Sequence, residues 1–171
     1  MAELTLAQLN ALDRAGFVAR LGGIFEHSPW VAEGAADGRP FASVDDLHRA
    51  MVAVVQAAPE ARRQALIDAH PDLAGKLARA SQLTEHSRQE QAGLGLDRLS
   101  DAEFERFDGL NTAYRRRFGF PFIIAVKENT RDSILAAFER RLNHDRAEEF
   151  QTALGEIAKI ARFRLNALLE A

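Results

Sequence analysis

The stretch from His70 to Gln91, HPDLAGKLARASQLTEHSRQEQ, gathers two histidines, carboxylates, two serines and amide side chains within a short span. Imidazole is the side chain best suited to moving protons near neutral pH, and carboxylates and amides suit the binding of polar N–H and C=O groups. His70 precedes Pro71, which disfavours helical backbone at position 70, so a preceding helix must end at or before His70. The imidazole then faces the negative end of a helix dipole, a setting that suits a proton donor. If Ser87 to Gln91 is helical, Ser87, Glu90 and Gln91 stand at i, i+3 and i+4 on one face, a hydroxyl, a carboxylate and an amide together. His86 and Glu90 also share a face, but a metal site needs further ligands that the spacing does not supply, so no metal is expected. The plain alternative for the whole face is a solvated helix surface.

These groups need a scaffold, and its pattern is helical almost throughout. Thr5 and Gln8 form a capping box, followed by Leu6, Leu9, Leu12, Phe17, Val18 and Leu21, which predicts one helix ending near Gly22. His27 and Trp30 flank a break at Ser28-Pro29 and read as anchors of a corner set into the core, with a ligand role as the alternative. Residues 33–40, EGAADGRP, read as a loop. Ser43 with Asp46 opens a helix through Leu47, Met51, Val54 and Val55 to Ala57, with His48 on its surface. Pro59 suits the first turn of the helix that ends before His70. An alanine-rich piece fills Leu73 to Gln82, and Thr84 caps the next helix.

Ser100 and Glu103 make the clearest capping box, and Phe104, Phe107, Leu110, Asn111, Tyr114 and Phe118 follow at helical spacing. Arg115, Arg116 and Arg117 in its last turn complement the helix dipole; a phosphate-binding patch is the alternative. Residues 118–127, FGFPFIIAVK, do not read as helix: Gly119 and Pro121 stop the preceding one, and a β-branched apolar run follows. An extended buried segment with no strand to pair with must find other partners for its N–H and C=O groups, so this strap is a candidate recognition surface made of main chain. Thr130 caps a helix from Arg131 to Leu142, and Asn143 or Asp145 caps the last one. On that last helix Arg164 falls on the stripe of Phe150, Leu154, Ile157, Ala161 and Leu168, whereas Arg162 points away. A guanidinium turned toward a core must find an anion, either within the protein or on a ligand.

Composition bounds the class. The chain has 171 residues, 47% of them hydrophobic and 27% charged, which fits one compact domain over 1–171. It has no cysteine, which excludes disulfides, thiolate metal sites and cysteine nucleophiles. A net charge of −3 gives no overall field for nucleic acid or an anionic membrane. No apolar run approaches a membrane span, the first twenty residues are unlike a signal peptide, and the closing LLEA is not a peroxisomal address, so a cytoplasmic protein is expected.

Taken together, HPDL at 70–73, SRQEQAGLGLD at 87–97, LNTAYRRRFGFPFIIAVK at 110–127, EIAKIARFRL at 156–165 and HSPWVAE at 27–33 resemble the OHCU decarboxylase family over essentially the whole chain. Those enzymes convert 2-oxo-4-hydroxy-4-carboxy-5-ureidoimidazoline (OHCU) to S-allantoin in urate degradation. The resemblance implies an all-α, single-domain helical bundle with one extended strap around residues 119–127, no metal or organic cofactor, and a homodimer. It implies His70 as the catalytic acid, with Glu90 beside it. Pro71, Ser87, Arg88, Gln89, Gln91, the strap residues Phe122, Ile123, Ile124, Ala125 and Val126, and Arg164 would bind the ureide substrate. Arg162 next to the family's arginine position is a departure. Two rival classes remain open on sequence: a non-catalytic helical binding module using Arg115–Arg117 as its contact surface, and a lyase or hydrolase acting on a related ureide.

Overall fold

The computed structural model describes residues 4–75 and 82–170. The secondary structure is helical, the all-α fold expected; among the described residues the only strand pairing is a two-residue parallel one, Leu4 beside Leu169 and Thr5 beside Glu170. The chain packs as two compact units, residues 1–69 with 158–171, and residues 70–157. No described helix is long and apolar enough to cross a membrane.

In the first unit the capping box of Thr5 and Gln8 starts α1 (Leu6–Ala11). The predicted single helix is two, because Asp13 caps a new one, α2 (Arg14–Leu21), its carboxylate accepting from the Gly16 amide at 2.7 Å. Apolar spacing runs through this break and hides it. The predicted loop at 33–40 is also corrected: α3 (Trp30–Ala35) runs on into a 3-10 turn, Ala36–Gly38. Gly34 lies against α4 (Val44–Ala57), where an added Cβ would sit 2.7 Å from Val54, so glycine there marks close helix contact rather than a loop. The last helix of this run, α5 (Glu60–Asp68), ends with Ala69 as its cap. Leu9, Phe17, Leu21, Phe25, Val31, Leu47, Met51 and Leu66 form the core with Ala161 and Leu165.

The corner at Ser28-Pro29 differs from expectation. Ile24, Phe25 and Glu26 go into the core, while His27 is exposed at φ 48° and Trp30 is half-buried beneath the Arg62 guanidinium, 5.0 Å from the ring centre. His48, expected on the surface, is half-buried with Nε2 2.7 Å from the Ala158 carbonyl.

The second unit contains α6 (Glu85–Gly93), capped by Thr84 as predicted, and α7 (Asp101–Phe118), opened by the Ser100–Glu103 capping box. Gly119 closes α7 in the left-handed region at φ 80°, a conformation natural to glycine. The strap follows, ending in a 3-10 turn, Val126–Glu128. Thr130 caps α8 (Arg131–Arg141), and Asp145 accepts from the Glu148 amide at the start of α9 (Arg146–Leu168). An aromatic core of Phe107, Tyr114, Phe118, Phe120, Phe122, Phe138 and Phe150 joins these elements, with Phe122 stacked on Phe138 at 3.7 Å between ring centres. Of the alanine-rich piece expected from Leu73 to Gln82, residues 76–81 lie outside the described residues.

Candidate active site

The site is built outward from the loop that follows α5. His70 is only 6% exposed, and the segment after it is strained: Ala74 is a buried non-glycine residue at φ 54°, which costs on the order of 1–3 kcal/mol unless surrounding contacts enforce it. Three side chains do so. Gln91 accepts the Ala74 N–H on Oε1 at 2.8 Å and donates from Nε2 to the Asp72 carbonyl at 3.3 Å. Asn111, buried on α7, donates to the Leu73 carbonyl at 2.9 Å. The Arg115 guanidinium donates to the Asp72 carboxylate at 3.0 Å. The loop is therefore clamped directly after the residue whose position matters. Asn111 was read in the sequence only as part of a helical stripe; a polar residue in phase with Phe107 and Phe118 was the available signal.

Helix α6 divides the predicted span 87–91 between two faces. Ser87 and Gln91 are buried and Glu90 is half-buried, so the i, i+3, i+4 face points inward rather than into solvent. Arg88 and Gln89 are exposed, and both donate to Glu85, at 2.6 and 2.7 Å. The Arg88 hydrogen bond leads the causes that hold the Glu85 carboxyl below its ordinary value. The structure thus brings Gln91 to the His70 loop and leaves the side chains of Arg88 and Gln89 on the outer face. Arg131 fixes the end of α6, donating to the carbonyls of Leu94 and Gly95. Helix α6 also packs against the Val126–Glu128 turn, which joins the loop, the helix face and the end of the strap within one unit.

The strap residues Phe122, Ile123, Ile124, Ala125 and Val126 are all buried. Their side chains belong to the core, so main chain is what the strap has to offer. Arg141, 3% exposed, donates from Nη1 to the Ile123 carbonyl at 2.7 Å, and its guanidinium lies 4.2 Å from the Phe122 ring centre. Glu156 accepts the Ala125 N–H at 3.1 Å, and Asn129 donates to the Ala125 carbonyl at 2.8 Å.

Behind the strap lies a buried network that the sequence reading missed. Glu149, fully buried, accepts from Arg141 Nε at 2.8 Å and from the Tyr114 hydroxyl at 2.5 Å, and its other oxygen is 2.8 Å from His144 Nδ1. Burial, then the bond to Glu149, pushes the Tyr114 hydroxyl well above the ordinary range, so it stays protonated. Glu149 stands in the first turn of α9, where an acid suits the helix dipole, but its spacing of four and eight residues from Ala153 and Ile157 marks it as core-facing. Arg115 and Arg117 of the basic run are engaged within the unit, Arg117 donating to the His144 carbonyl at 2.6 Å.

Arg164 lies in the first unit. It is 4% exposed, its Nη2 is 2.8 Å from Glu26, and its Nη1 donates to the carbonyls of Gly23 and Ile24 at 3.3 Å. Arg162 is half-exposed and bonds to Asp45, which lowers the Asp45 pKa, and to Asn166 at 3.0 Å. Among the described residues no group of three or more histidine and carboxylate side chains is placed to hold a metal ion. An open hollow of about 460 Å³ in the first unit, lined by Arg14, Trp30, Val54, Pro59 and Arg62 among others, includes none of the predicted site residues.

Comparison with known proteins bears on this arrangement. A family model described as OHCU decarboxylase matches residues 10–166. A protein of Haloferax volcanii named 2-oxo-4-hydroxy-4-carboxy-5-ureidoimidazoline decarboxylase is 49% identical over 165 residues, 96% of each chain. A uric acid degradation bifunctional protein of Bacillus subtilis is 46% identical over 161 residues, 94% of this chain and 32% of its own length. A crystal structure of (S)-allantoin synthase superimposes with a TM-score of 0.76 at 36% identity, over 95% of this chain and 53% of that one.

Proposed function

The chain belongs to the OHCU decarboxylase family, and from that premise we propose that it is a carboxy-lyase converting 2-oxo-4-hydroxy-4-carboxy-5-ureidoimidazoline to (S)-allantoin in urate degradation, without a cofactor. The observation that carries the reading is the clamped loop: His70 is buried and precedes a strained segment held by Gln91, Asn111 and Arg115. An acid fixed in this way transfers its proton along one direction only.

The chemistry follows from the substrate. The bond between ring carbon 4 and its carboxylate breaks, CO₂ leaves, and the electron pair passes into the adjacent C=N of the ring. The ring nitrogen takes up a proton, and a further proton delivered to the carbon bearing the ureido group, as the hydroxyl on carbon 4 gives up its own to become the carbonyl, then creates the stereocentre of allantoin. His70 donates that proton from one face, a role that typically contributes about 10²–10⁴ in rate. Glu90 accepts from ureide N–H groups near the reacting centre, and Ser87 and the remaining N–H of Gln91 offer further hydrogen bonds. Pro71 shapes the loop, and the main chain of Phe122–Val126 holds the ring and ureide amides. Arg88 and Gln89, exposed and turned to Glu85, contribute through the backbone of α6. Arg164 acts on oxygens where charge develops rather than clamping the departing carboxylate, since stabilising that carboxylate would favour the ground state. The enzyme acts in the cytoplasm as a homodimer; sedimentation at assay concentration tests the dimer.

The substrate is generated in place from urate with urate oxidase and hydroxyisourate hydrolase, and product is followed by circular dichroism. Addition of the protein is expected to accelerate formation of a single enantiomer, with the circular-dichroism sign of authentic (S)-allantoin. Uncatalysed rates and racemic product would overturn the assignment and favour a non-catalytic binding module.

A further inference from the structure

Two buried carboxamides serve the same three-residue loop, and one of them is half used. Gln91 on α6 engages both ends of its amide, the oxygen on the Ala74 N–H and the nitrogen on the Asp72 carbonyl. Asn111 on α7, 4% exposed, donates from Nδ2 to the Leu73 carbonyl. Its Oδ1 is also buried, yet among the described residues nothing donates to it. The amide cannot be turned round, because that would set Oδ1 against the Leu73 carbonyl oxygen, so the donor and acceptor ends are fixed.

Buried side-chain acceptors are nearly always paired, and an unpaired one carries a desolvation cost that a hydrocarbon side chain would avoid. A clamp on Leu73 needs the nitrogen alone, so clamping does not account for the oxygen. Its neighbours along α7 do not serve it. The Tyr114 hydroxyl is spent on Glu149, and Arg115 Nε is directed to the Asp72 carboxylate. Asn111 also lies outside every span assigned to substrate above.

We propose that Asn111 is a specificity-determining residue whose Oδ1 accepts an N–H of the bound ureide beside the His70 loop. This rests on the ureide reading above. A ureido or ring amide N–H supplies the missing donor, whereas a ligand offering oxygens alone would set lone pair against lone pair. The residue thereby selects for nitrogen-bound protons on the substrate.

Allantoin, a stable ureide, and allantoins methylated at one nitrogen at a time serve as probes. In protein carrying ¹³C-asparagine, allantoin should shift the Asn111 Cγ resonance saturably, and one of the methylated derivatives should not. That derivative should bind wild type about 3- to 10-fold more weakly than allantoin, the range a single hydrogen bond covers. Asn111→Leu, at matched folded fraction, should bind the two alike. A loop merely disturbed by loss of the Leu73 bond would weaken both ligands equally and leave their ratio untouched. A ratio unchanged by Asn111→Leu, or an Asn111 Cγ that no ureide moves, as an ordered water on Oδ1 would give, overturns this proposal while wild-type turnover stands. Absence of wild-type turnover would instead remove the reading it rests on. If Asn111→Leu does not fold, the wild-type Cγ series decides.

Discussion

The two buried arginines make an instructive pair. Arg164 and Arg141 are almost equally hidden, each 2.8 Å from a buried glutamate, Glu26 in one unit and Glu149 in the other. Their surroundings differ. Arg164 adds two long bonds to the carbonyls of Gly23 and Ile24, whereas Arg141 adds a short bond to the strap and shares its glutamate with Tyr114 and a histidine. A buried ion pair is weak evidence for net stability, since desolvation offsets much of the attraction, so what each pair holds in place matters more than its existence. Arg141 holds a main-chain surface; Arg164 is the arginine that the family resemblance assigns to substrate.

The largest effect separates them. Arg141→Met and Arg164→Met should each cost about 3–5 kcal/mol by denaturant unfolding, because each takes the arginine cation away from a buried carboxylate. Removing the stranded charge as well, in Arg141→Met/Glu149→Gln and Arg164→Met/Glu26→Gln, should return a large part of that stability. Activity should then remain low in both doubles for different reasons: raised KM through the strap in the first, lowered kcat in the second. Full recovery of kcat in the second double would make Arg164 a purely structural residue.

Gln91→Ala removes two of the bonds that enforce the Ala74 conformation and should destabilise by about 1–3 kcal/mol. Ala74→Gly in that background should recover part of it, because glycine adopts φ 54° without strain.

Tyr114 supplies a pH test of the Arg141 side. Facing Glu149 and Arg141, its hydroxyl titrates above the ordinary 10.0, so its contribution is complete below pH 10 and declines above it, where the unfolded chain ionises first. Tyr114→Phe should lose stability at neutral pH and show a shallower alkaline decline; an identical decline would disconnect the network from the pH response. The smallest effect is expected of Arg88→Ala, whose side chain is exposed and tied only locally to Glu85: Tm should not change measurably.

What was legible in the sequence was local. The capping boxes at Thr5, Ser100 and the cap at Thr84 are contacts between residues three apart, and all three are present. The shared face of Ser87 and Gln91, the helix stop before His70 and the non-helical strap followed from spacing and proline chemistry, whereas the burial of that face did not. The break at Asp13 was hidden because apolar periodicity continues across it, and α3 because Gly34 looks like a loop residue until Val54 is beside it. The Tyr114–Arg141–Glu149 network draws on three helices, and periodicity within one helix cannot register partners that Tyr114 meets on two later ones, Glu149 lying 35 residues away in the chain. Arg164 was placed by its phase, but the identity of its anion, Glu26, is a tertiary fact.

The measurement closest to the central claim is single-turnover kinetics of His70→Ala on freshly generated substrate, with Tm determined on the same sample. A fall of about 10²–10⁴ in rate and loss of enantiomeric preference, in a protein that remains folded, is the predicted result. Near-normal turnover to a single enantiomer would contradict it and remove His70 as the proton donor.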